Sequence, residues 1–508
     1  MSPRLHISES RIAVVGGILL AAMIIRVVCS FLVGAGSFGP DGTGAEAAVE
    51  LGNHPNVLHP FLIDVFGGGR GLSALGGAVT AVACGKMGER LGGNLLACGF
   101  MGACAPLLVI PSSMAGGDAP AIALASSGVA LAWWGHPLKG GVLAALSLGV
   151  KGIALPILIL LPVSLIFVEN KRRHAAQLAI AVLAVGIFFL SSLDPLLQPR
   201  PHSGILGSWW LATDGVPPTP GQWWSLGWVG FKEISTMPTW TGHPVLGLLA
   251  LWGCIRAKNK ALWWVLGLSG FALLCTAAPL GSQLRVRYLA PASIGITVLA
   301  GCAIGRAYWA PFLFLWPCLA FTSQLGALRS HEDGIGPRPR IPFLQDIDVE
   351  PTFEEGGICG GNELRNMARA LAKSLPKNTE VAAIRLRDGR EMELFWRLKI
   401  RRRDLNLVHL GADCCPTGDY ADCAQAARTH IYKKGGALVI PGIPPKCKTH
   451  LASPKDMDFA QAFGLVPKEG DRFHLYVAPG NGRAQQGMDA CRQSLASTGH
   501  PVNQRPTP

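Results

Sequence analysis

The sequence predicts a polytopic α-helical membrane protein, with about eleven transmembrane helices of roughly 20 residues each and a small α/β extracytoplasmic domain at the C-terminus. The first observation is composition: 49% of the 508 residues are hydrophobic, 15% are charged and the mean hydropathy is +0.33. The second is that the apolar residues are gathered in long runs. The third is a change near residue 325, after which the sequence is typical of a soluble domain.

The apolar runs account for nearly all of the chain up to residue 322. They lie at 12–34, 72–88, 94–111, 119–135, 140–150, 153–168, 175–192, 243–255, 261–279, 286–304 and 308–322. Several runs are too short for a straight helix to cross the ~30 Å hydrocarbon core. The expected number of spans is therefore about eleven, give or take one or two.

Basic residues predict the orientation. Clusters of Lys and Arg fall on alternate sides of the runs, at Arg4/Arg11, Lys86/Arg90, Lys139, Lys171/Arg172/Arg173, Arg256/Lys258/Lys260 and Arg306. By the positive-inside rule these positions and the N-terminus are predicted to be cytoplasmic, in a membrane that the chain crosses many times. The loop 39–62 and everything after residue 323 are then extracytoplasmic.

Residues 1–34 have a second interpretation as a cleaved signal peptide, because Arg4 and Arg11 precede the apolar stretch and the small residues GAGS follow it. A membrane span is favoured because the run continues past Arg26 and further runs follow.

The net charge of +13 does not require nucleic acid, since much of it is cytoplasmic Lys and Arg and most of the remainder lies in the C-terminal region.

The predicted domains are a membrane domain at 1–325, a soluble α/β domain at 340–481 and a disordered tail at 482–508. The segment HEDGIGPRPRIP has the composition of a linker between the first two. Beyond it, EVAAIRL, LNLVHL, GALVIPG and RFHLYVAP have the pattern of strands, and they alternate with helical patterns such as NELRNMARALAKSL and YADCAQAARTHIYKK. This alternation predicts an α/β layer.

The soluble region also holds an even number of cysteines, which favours disulfides in an extracytoplasmic domain, although the pairing cannot be chosen from the sequence. These cysteines are Cys359, Cys414, Cys415, Cys423, Cys447 and Cys491.

A second extracytoplasmic segment, 193–242, is rich in tryptophan. Two interpretations are open for its rings, a place at the lipid–water boundary or stacking on a sugar, and the boundary is favoured.

Charged residues that interrupt or border the apolar runs are the candidate site residues. Placing a charged side chain at membrane depth costs ~2.5–3.5 kcal/mol, so each of them needs a partner or a function. They are Arg26, Asp118, Lys151, Arg285 and Arg287, and all lie toward the extracytoplasmic side. The loop at that side contributes Asp41, Glu46, Glu50, His54 and His59. Cations could hold a lipid-linked phosphate while a carboxylate accepts a proton. The alternative is structural: the cations extend to headgroups or pair with Asp118.

Four segments in this order resemble the GT-C superfamily of membrane glycosyltransferases, which includes protein O-mannosyltransferases and aminoarabinose transferases. PDGTGAEAAVELG with HPFL resembles the family's acidic first loop and the turn after it. GDAPAIALASSGVALAWW, GVLAALSLGVKGIALPILILLPVSLI and RYLAPASIGITVLAG are similar to three later family segments. The resemblance covers roughly residues 12–304.

The resemblance implies that Asp41 is the general base, that Lys151 and Arg287 lie near the lipid phosphate and that Asp118 lies near the cavity. Gly42 stands where the family often has a second carboxylate, so Glu46 is the candidate for that role. The full set predicted to bind substrate or lipid phosphate is Arg26, His59, Asp118, Lys151, Arg285 and Arg287. The implied reaction transfers a sugar from a polyprenyl phosphate to a glycan, lipid or protein acceptor, with inversion.

Cofactor use is left open by the sequence. Some members of the superfamily use a divalent metal ion, and Glu46, Glu50, His54 and His59 are chemically able to bind one, but their spacing matches no compact metal motif. Membrane lipids are expected partners and nucleic acid is not. Two other functions remain: a non-catalytic GT-C-like membrane protein, and a transporter or flippase of lipid-linked glycans. Against the transporter, the sequence shows no internal repeat and no pair of broken helices that would mark a midplane site.

Overall fold

A computed structural model describes the chain at residues 9–33, 69–113, 117–188, 243–257, 259–280, 286–320 and 322, with isolated residues within 58–65 and 219–228. In the C-terminal region it describes 371–373, 375–384, 398, 401–410, 437–441, 450–451 and 474–478. These residues divide into two compact units, with the helices up to residue 322 in the first and the strands in the second. The domain boundaries predicted near 325, 340 and 481 lie outside the described residues.

The first unit is entirely helical in its described part. In chain order its helices are α1 (Glu9–Val33), α2 (Gly69–Arg90), α3 (Leu95–Cys104), α4 (Pro106–Ser112), α5 (Asp118–Trp133), α6 (Pro137–Val150), α7 (Leu155–Leu158), α8 (Lys171–Phe188), α9 (His243–Ala257), α10 (Lys260–Leu280), α11 (Val286–Ala292) and α12 (Ile294–Ile304). Short 3-10 helices at Gly152–Ala154 and Leu161–Ile166 flank α7, and a third lies at Ala310–Phe314.

Each predicted apolar run contains helix, but some runs are not one continuous helix. The run 94–111 is α3 and α4, bent by 55° at the break. The run 153–168 is a succession of 3-10 and α-helical turns, and 286–304 is divided into α11 and α12 at Ser293. Prolines at the start of α4, within α7 and within α11 remove the N–H groups that a continuous helix needs. Some of the predicted runs are therefore interrupted, which the apolar pattern alone does not indicate.

Length alone identifies few membrane spans in the described part of the chain. The segment Arg11–Leu32 is long and apolar enough to cross a membrane, and the pair α3–α4 passes the same test if it is one span. The other apolar helices, among them Pro137–Val150 and Ile294–Ile304, are shorter. The expected number of about eleven spans thus stays a prediction.

The surface of the helical unit favours contact with lipid. Large apolar side chains are exposed on helices from both ends of the sequence, including Phe31 at 78%, Leu183 at 65%, Leu248 at 68% and Trp264 at 61%. A soluble protein rarely exposes so many large apolar side chains together. The interior, in contrast, is built of small residues and a few large ones such as Trp133, whose Nε1 donates to the Leu160 carbonyl at 3.0 Å.

One end of the helical unit is tied together by basic residues that the sequence assigns to the cytoplasm. Arg11 at the start of α1 lies 3.4 Å from Glu89 at the end of α2. Arg90 donates to the carbonyls of Trp133 and Phe167 at 3.0 and 2.9 Å, and its guanidinium lies over the Trp134 ring. These contacts place the start of α1 and the ends of α2 and α5 at the same end, so Asp118 lies at the other.

The second unit contains a five-stranded sheet, with strand order β2-β1-β3-β5-β4. The strands are β1 (Glu380–Ile384), β2 (Asn406–Leu410), β3 (Ala437–Pro441), β4 (His450–Leu451) and β5 (His474–Ala478). The four longer strands are parallel and lie where the sequence predicts them; the sequence did not predict β4, which has two residues and is antiparallel to β5. The predicted helices lie largely outside the described residues, so the α/β assignment stays a prediction.

A partly exposed ion pair holds the start of this sheet. The Arg402 guanidinium donates to both carboxylate oxygens of Asp404 at 2.7 Å and also to the carbonyls of Ala372, Leu375 and Pro376. Asp404 further accepts from the backbone N–H of Asn378 at 3.0 Å, just before β1. One side chain thus joins a helix end, a turn and the approach to β2.

We expect this pair to make the second unit sensitive to acid. The hydrogen bonds from Arg402, and then that from Asn378, hold the pKa of Asp404 well below the ordinary value of 3.8. A carboxyl group with a depressed pKa stabilises the folded state above the ordinary value and loses that contribution as the pH falls below it. In the full chain, amide exchange at 375–384, corrected for intrinsic rates, should rise below about pH 4.

The Asp404→Asn variant should exchange faster than the wild type at neutral pH and lack the additional rise in acid. Arg402→Lys is the companion variant, because it keeps the charge but loses the paired hydrogen bonds. Profiles that coincide for wild type and Asp404→Asn at every pH would show that this pair does not stabilise the sheet.

Candidate functional site

Two predicted site residues form an ion pair in the described part of the helical unit. Lys151 Nζ lies 2.7 Å from Asp118 Oδ1. Asp118 is the first residue of α5 and is buried, whereas Lys151 is the residue that ends α6 and keeps 24% of its side chain exposed. The sequence predicted that both residues lie toward the same side, and here they are in contact.

The pair forms because α5 and α6 are antiparallel neighbours. They are joined by a tight turn in which Gly135 adopts a φ of 84°, a conformation that glycine allows at no steric cost. The first residue of α5 therefore lies beside Lys151, the residue that follows α6. Lys151 then leaves the helix in an extended conformation, with φ −166° and ψ 134°.

Each charge is also favoured by the end of its own helix. A carboxylate at the N-terminus of α5 faces the positive end of that helix, and an ammonium at the C-terminus of α6 faces the negative end. Asp118 Oδ1 accepts no well-directed hydrogen bond, so charge attraction is what holds the contact. Lys151 keeps part of its side chain exposed, whereas Asp118 is buried.

The helix that carries Arg287 packs beside Lys151. α11 contacts the 3-10 turn Gly152–Ala154, the short helix α7 and the half-helix α4. The backbone of Arg287 belongs to α11, but its side chain lies outside the described residues. The fold thus brings a second predicted phosphate-binding position to the neighbourhood of Lys151 at the level of the backbone.

Arg26 occupies a different place. Its side chain is fully buried where α1 packs against α2, α3 and α4. A Cβ at Gly77 of α2 would overlap Arg26 Nε and lie 2.6 Å from Ser112 Cβ, whereas a Cβ at Gly76 would lie 2.9 Å from the backbone of Ala119. Adjacent glycines of α2 therefore face Arg26 on one side and the start of α5 on the other.

The contacts of Arg26 are with backbone carbonyls at the break between α3 and α4. Nη1 donates to the Ala22 and Ala103 carbonyls at 3.0 and 3.2 Å, and Nη2 to the Gly102 carbonyl at 3.3 Å. Pro106 has no N–H for the Gly102 carbonyl, so the break would otherwise leave it unsatisfied in the interior.

A neighbouring thiol also donates to a carbonyl at this break: Cys318 Sγ lies 3.5 Å from the Cys104 carbonyl oxygen. The two Nη atoms of Arg26 are thus bonded to the backbone, whereas its buried Nε has no hydrogen-bond partner among the described residues. In the described part of the chain Arg26 makes no hydrogen bond to Asp118, and its predicted role in binding phosphate stays a prediction.

This arrangement also bears on the transporter alternative. Broken helices in transporters offer free carbonyls to ions or substrates near the middle of the membrane. At the break between α3 and α4, the carbonyls of Gly102, Ala103 and Cys104 are already occupied by Arg26 and Cys318. At this break, the three carbonyls are therefore bonded to side chains from inside the protein.

The remaining predicted site residues lie outside the described part of the chain. These are Asp41, Glu46, His54, His59 and Arg285. Within the described residues, no three His, Cys, Asp or Glu side chains lie close enough to hold a metal ion. The candidate metal ligands Glu46, His54 and His59 are not among those residues, so metal binding is neither supported nor opposed.

The glycine pair Gly76–Gly77 is a positioning feature that the sequence reasoning missed. Both residues lie inside an apolar run, where hydropathy indicates only a span. The sequence does contain an indication of this close packing, the glycine doublet in LSALGGAVT. Two adjacent glycines weaken the interior of a helix, so they are expected there only where close packing requires them.

Two solved structures show a likeness to this chain. One is the crystal structure of ArnT from Cupriavidus metallidurans in the apo state, with 16% identity and a TM-score of 0.47, covering 78% of this chain and 86% of that one. The other is ArnT from the same organism bound to undecaprenyl phosphate, with 14% identity and a TM-score of 0.47, covering 82% and 87%. No protein-family profile and no curated protein matches the chain.

Proposed function

We propose that this chain is a GT-C-type glycosyltransferase of a bacterial inner membrane, which transfers a sugar from a polyprenyl phosphate to an extracytoplasmic acceptor. The observation that carries the proposal is the Lys151 ammonium, held 2.7 Å from the buried Asp118 at the end of the helical unit opposite Arg11 and Arg90, with part of its side chain exposed. A charge in this position is costly unless it has a function or a partner, and Lys151 has both a partner and an accessible surface.

In this proposal Lys151 and Arg287 bind the phosphate of the lipid carrier, with Arg285 and His59 contributing from the flanking loops. Asp118 is a positioning residue, because it holds the ammonium in place without contacting the substrate. Lys and Arg bind phosphate in different ways, since an ammonium acts as a point charge and a guanidinium can bind two phosphate oxygens at once.

The reaction follows from these roles. The acceptor oxygen or nitrogen attacks the anomeric carbon, Asp41 takes the acceptor proton, and the bond from the anomeric carbon to the phosphate oxygen breaks with inversion. The electron pair of that bond leaves with the polyprenyl phosphate, whose negative charge the cations stabilise. Glu46 is the candidate second carboxylate. Any divalent metal ion would bind through Glu46, His54 or His59 and add positive charge beside the phosphate.

The proposed location agrees with this chemistry. Polyprenyl carriers deliver sugars to the extracytoplasmic face, where nucleotide sugars are not present, so a site at that end needs no nucleotide. The exposed apolar side chains of the helical unit would face the lipid in which the carrier is dissolved. The partners are then the carrier, membrane lipids and a glycan, lipid or protein acceptor.

A double substitution separates the phosphate-binding role of Lys151 from a purely structural one. Lys151→Met leaves the buried Asp118 carboxylate without its cation, which should cost roughly 1–3 kcal/mol of stability. Adding Asp118→Asn removes the unpaired charge and should restore much of that stability. If Lys151 binds the phosphate, the double variant folds but still fails to transfer sugar.

The measurement compares thermal stability in detergent with transfer from a synthetic polyprenyl phosphate sugar, or with the cell-envelope glycans seen by mass spectrometry. Lys139→Met is the matched control, because Lys139 is exposed near the other end of the same helix and should change neither quantity. Full transfer by the folded double variant would overturn the assignment of Lys151. Envelope glycans that are identical with and without the protein would contradict the proposed function and favour the non-catalytic alternative.

A further inference from the structure

The tryptophan-rich segment between α8 and α9 contains a helical turn with a well-formed start. Thr219 Oγ1 accepts from the backbone N–H of Gln222 at 3.4 Å, and the Gln222 side chain accepts from the backbone N–H of Thr219 at 2.8 Å. This reciprocal pair is a capping box, which satisfies N–H groups that a helix start would leave open. The capping box therefore stabilises the start of this turn locally.

Two large rings lie on the same face of this turn. Trp224 and Trp228 are four residues apart, so they lie one above the other on a helix. Trp224 is 81% exposed and Trp228 is 65% exposed. The polar groups nearby, Gln222 and Ser225, are occupied in hydrogen bonds within the segment, and none of its described residues is charged.

The position of the segment in the chain fixes the end of the unit at which it lies. α8 begins with the basic residues Lys171, Arg172 and Arg173, and α9 finishes with Arg256 in its last turn. A segment that joins the far end of α8 to the start of α9 is thus at the end away from these basic residues. Both helices expose large apolar side chains, among them Leu183 and Leu248.

We propose that residues 219–228 lie in the lipid–water interface of the extracytoplasmic leaflet, with the rings of Trp224 and Trp228 among the lipid headgroups. Tryptophan favours this region because its ring is apolar while its N–H can bond to water or headgroups. Left in water, two such rings would remain exposed at a free-energy cost that burial in the interface removes.

Stacking on a soluble glycan fits the same rings less well. Sugar sites place polar or charged groups around an aromatic platform to bind the hydroxyls, and the described residues of this segment offer only side chains that are already bonded to one another. The inference depends on the membrane location in the proposed function, but not on the reaction or on its catalytic residues. It would hold equally for a non-catalytic membrane protein.

The test uses the full chain in lipid nanodiscs that contain phospholipids brominated either near the headgroup or deep in the acyl chain. The fluorescence of the wild type minus that of the Trp224→Phe/Trp228→Phe variant reports the two rings. This difference signal should lose more intensity with the shallow bromine than with the deep one. Trp252→Phe is the matched control, because Trp252 is exposed on α9, about one turn before Arg256, and its signal should be quenched by the brominated lipids if α9 lies in the membrane.

Each outcome has a separate meaning. Shallow quenching of the Trp224 and Trp228 signal supports the inference. If that signal is unaffected by either lipid while the Trp252 signal is quenched, the inference fails and the membrane location stands. If neither signal is quenched, the membrane location itself fails. A change in the Trp224 and Trp228 signal on adding a soluble oligosaccharide, without quenching by brominated lipid, would also overturn the inference and indicate a glycan site.

Discussion

Asp41→Asn is expected to lower the rate of sugar transfer by roughly 10²–10⁴-fold, which is the usual contribution of a general base. Asparagine has nearly the same size as aspartate but cannot accept the proton of the attacking acceptor. The stability of the protein should change little, because the substitution adds no volume and removes a charge from a loop that the sequence predicts to be extracytoplasmic. The measurement is transfer from a synthetic polyprenyl phosphate sugar, beside a thermal unfolding curve of the same sample.

Two other carboxylates of the same loop provide the comparison. Glu46→Gln tests the candidate second carboxylate, and Glu50→Gln is the matched control, because Glu50 has no role in the proposed mechanism. A loss confined to Asp41→Asn assigns the base to Asp41 alone, and a loss shared with Glu46→Gln assigns both. If Asp41→Asn transfers sugar at the wild-type rate, Asp41 is not the base and the proposed mechanism is wrong.

Gly77→Ala is expected to destabilise the helical unit by about 1–3 kcal/mol, the usual cost of overpacking. The added methyl group would overlap Arg26 Nε and lie 2.6 Å from Ser112 Cβ. Arg26 cannot retreat without losing its bonds to the carbonyls of Gly102 and Ala103, which have few other partners in the interior. The substitution therefore disturbs both the packing of α1 on α2 and the break between α3 and α4.

Gly71→Ala is the matched control in the same helix, since a Cβ at Gly71 meets nothing within 4 Å. Alanine favours a helix over glycine by about 1 kcal/mol, so this variant should be as stable as the wild type or slightly more so. The measurement is the thermal unfolding midpoint of each purified variant. Equal midpoints for Gly77→Ala and Gly71→Ala would show that Arg26 is not packed against α2 as described.

Gly76→Ala adds a functional consequence to the same comparison. Its Cβ would lie 2.9 Å from the backbone of Ala119 and Pro120, which has no flexible end that could move aside. The start of α5 would have to shift, and Asp118 would shift with it. We expect this variant to lose transfer activity beyond its loss of stability, whereas Gly77→Ala, which faces Arg26, should lose mainly stability.

The sequence alone determined the features that depend on local pattern and on the choice between water and an apolar environment. The apolar runs predicted where helices occur, and the alternating segments after residue 325 predicted the four longer strands, because burial selects side chains at the period of each element. The basic clusters also pointed to one end of the helical unit, where Arg11 and Arg90 are now seen in contact with neighbouring helices.

Only the tertiary structure decided which distant groups meet. Asp118 and Lys151 could equally have been separate charges in the sequence, and their contact depends on how α5 and α6 fold back on each other. The partners of Arg26 are backbone carbonyls far along the chain, which are free because of a bend that hydropathy does not report. Hydropathy measures how a side chain partitions from water, whereas a hydrogen bond or an ion pair depends on the relative positions of two groups, and packing sets those positions.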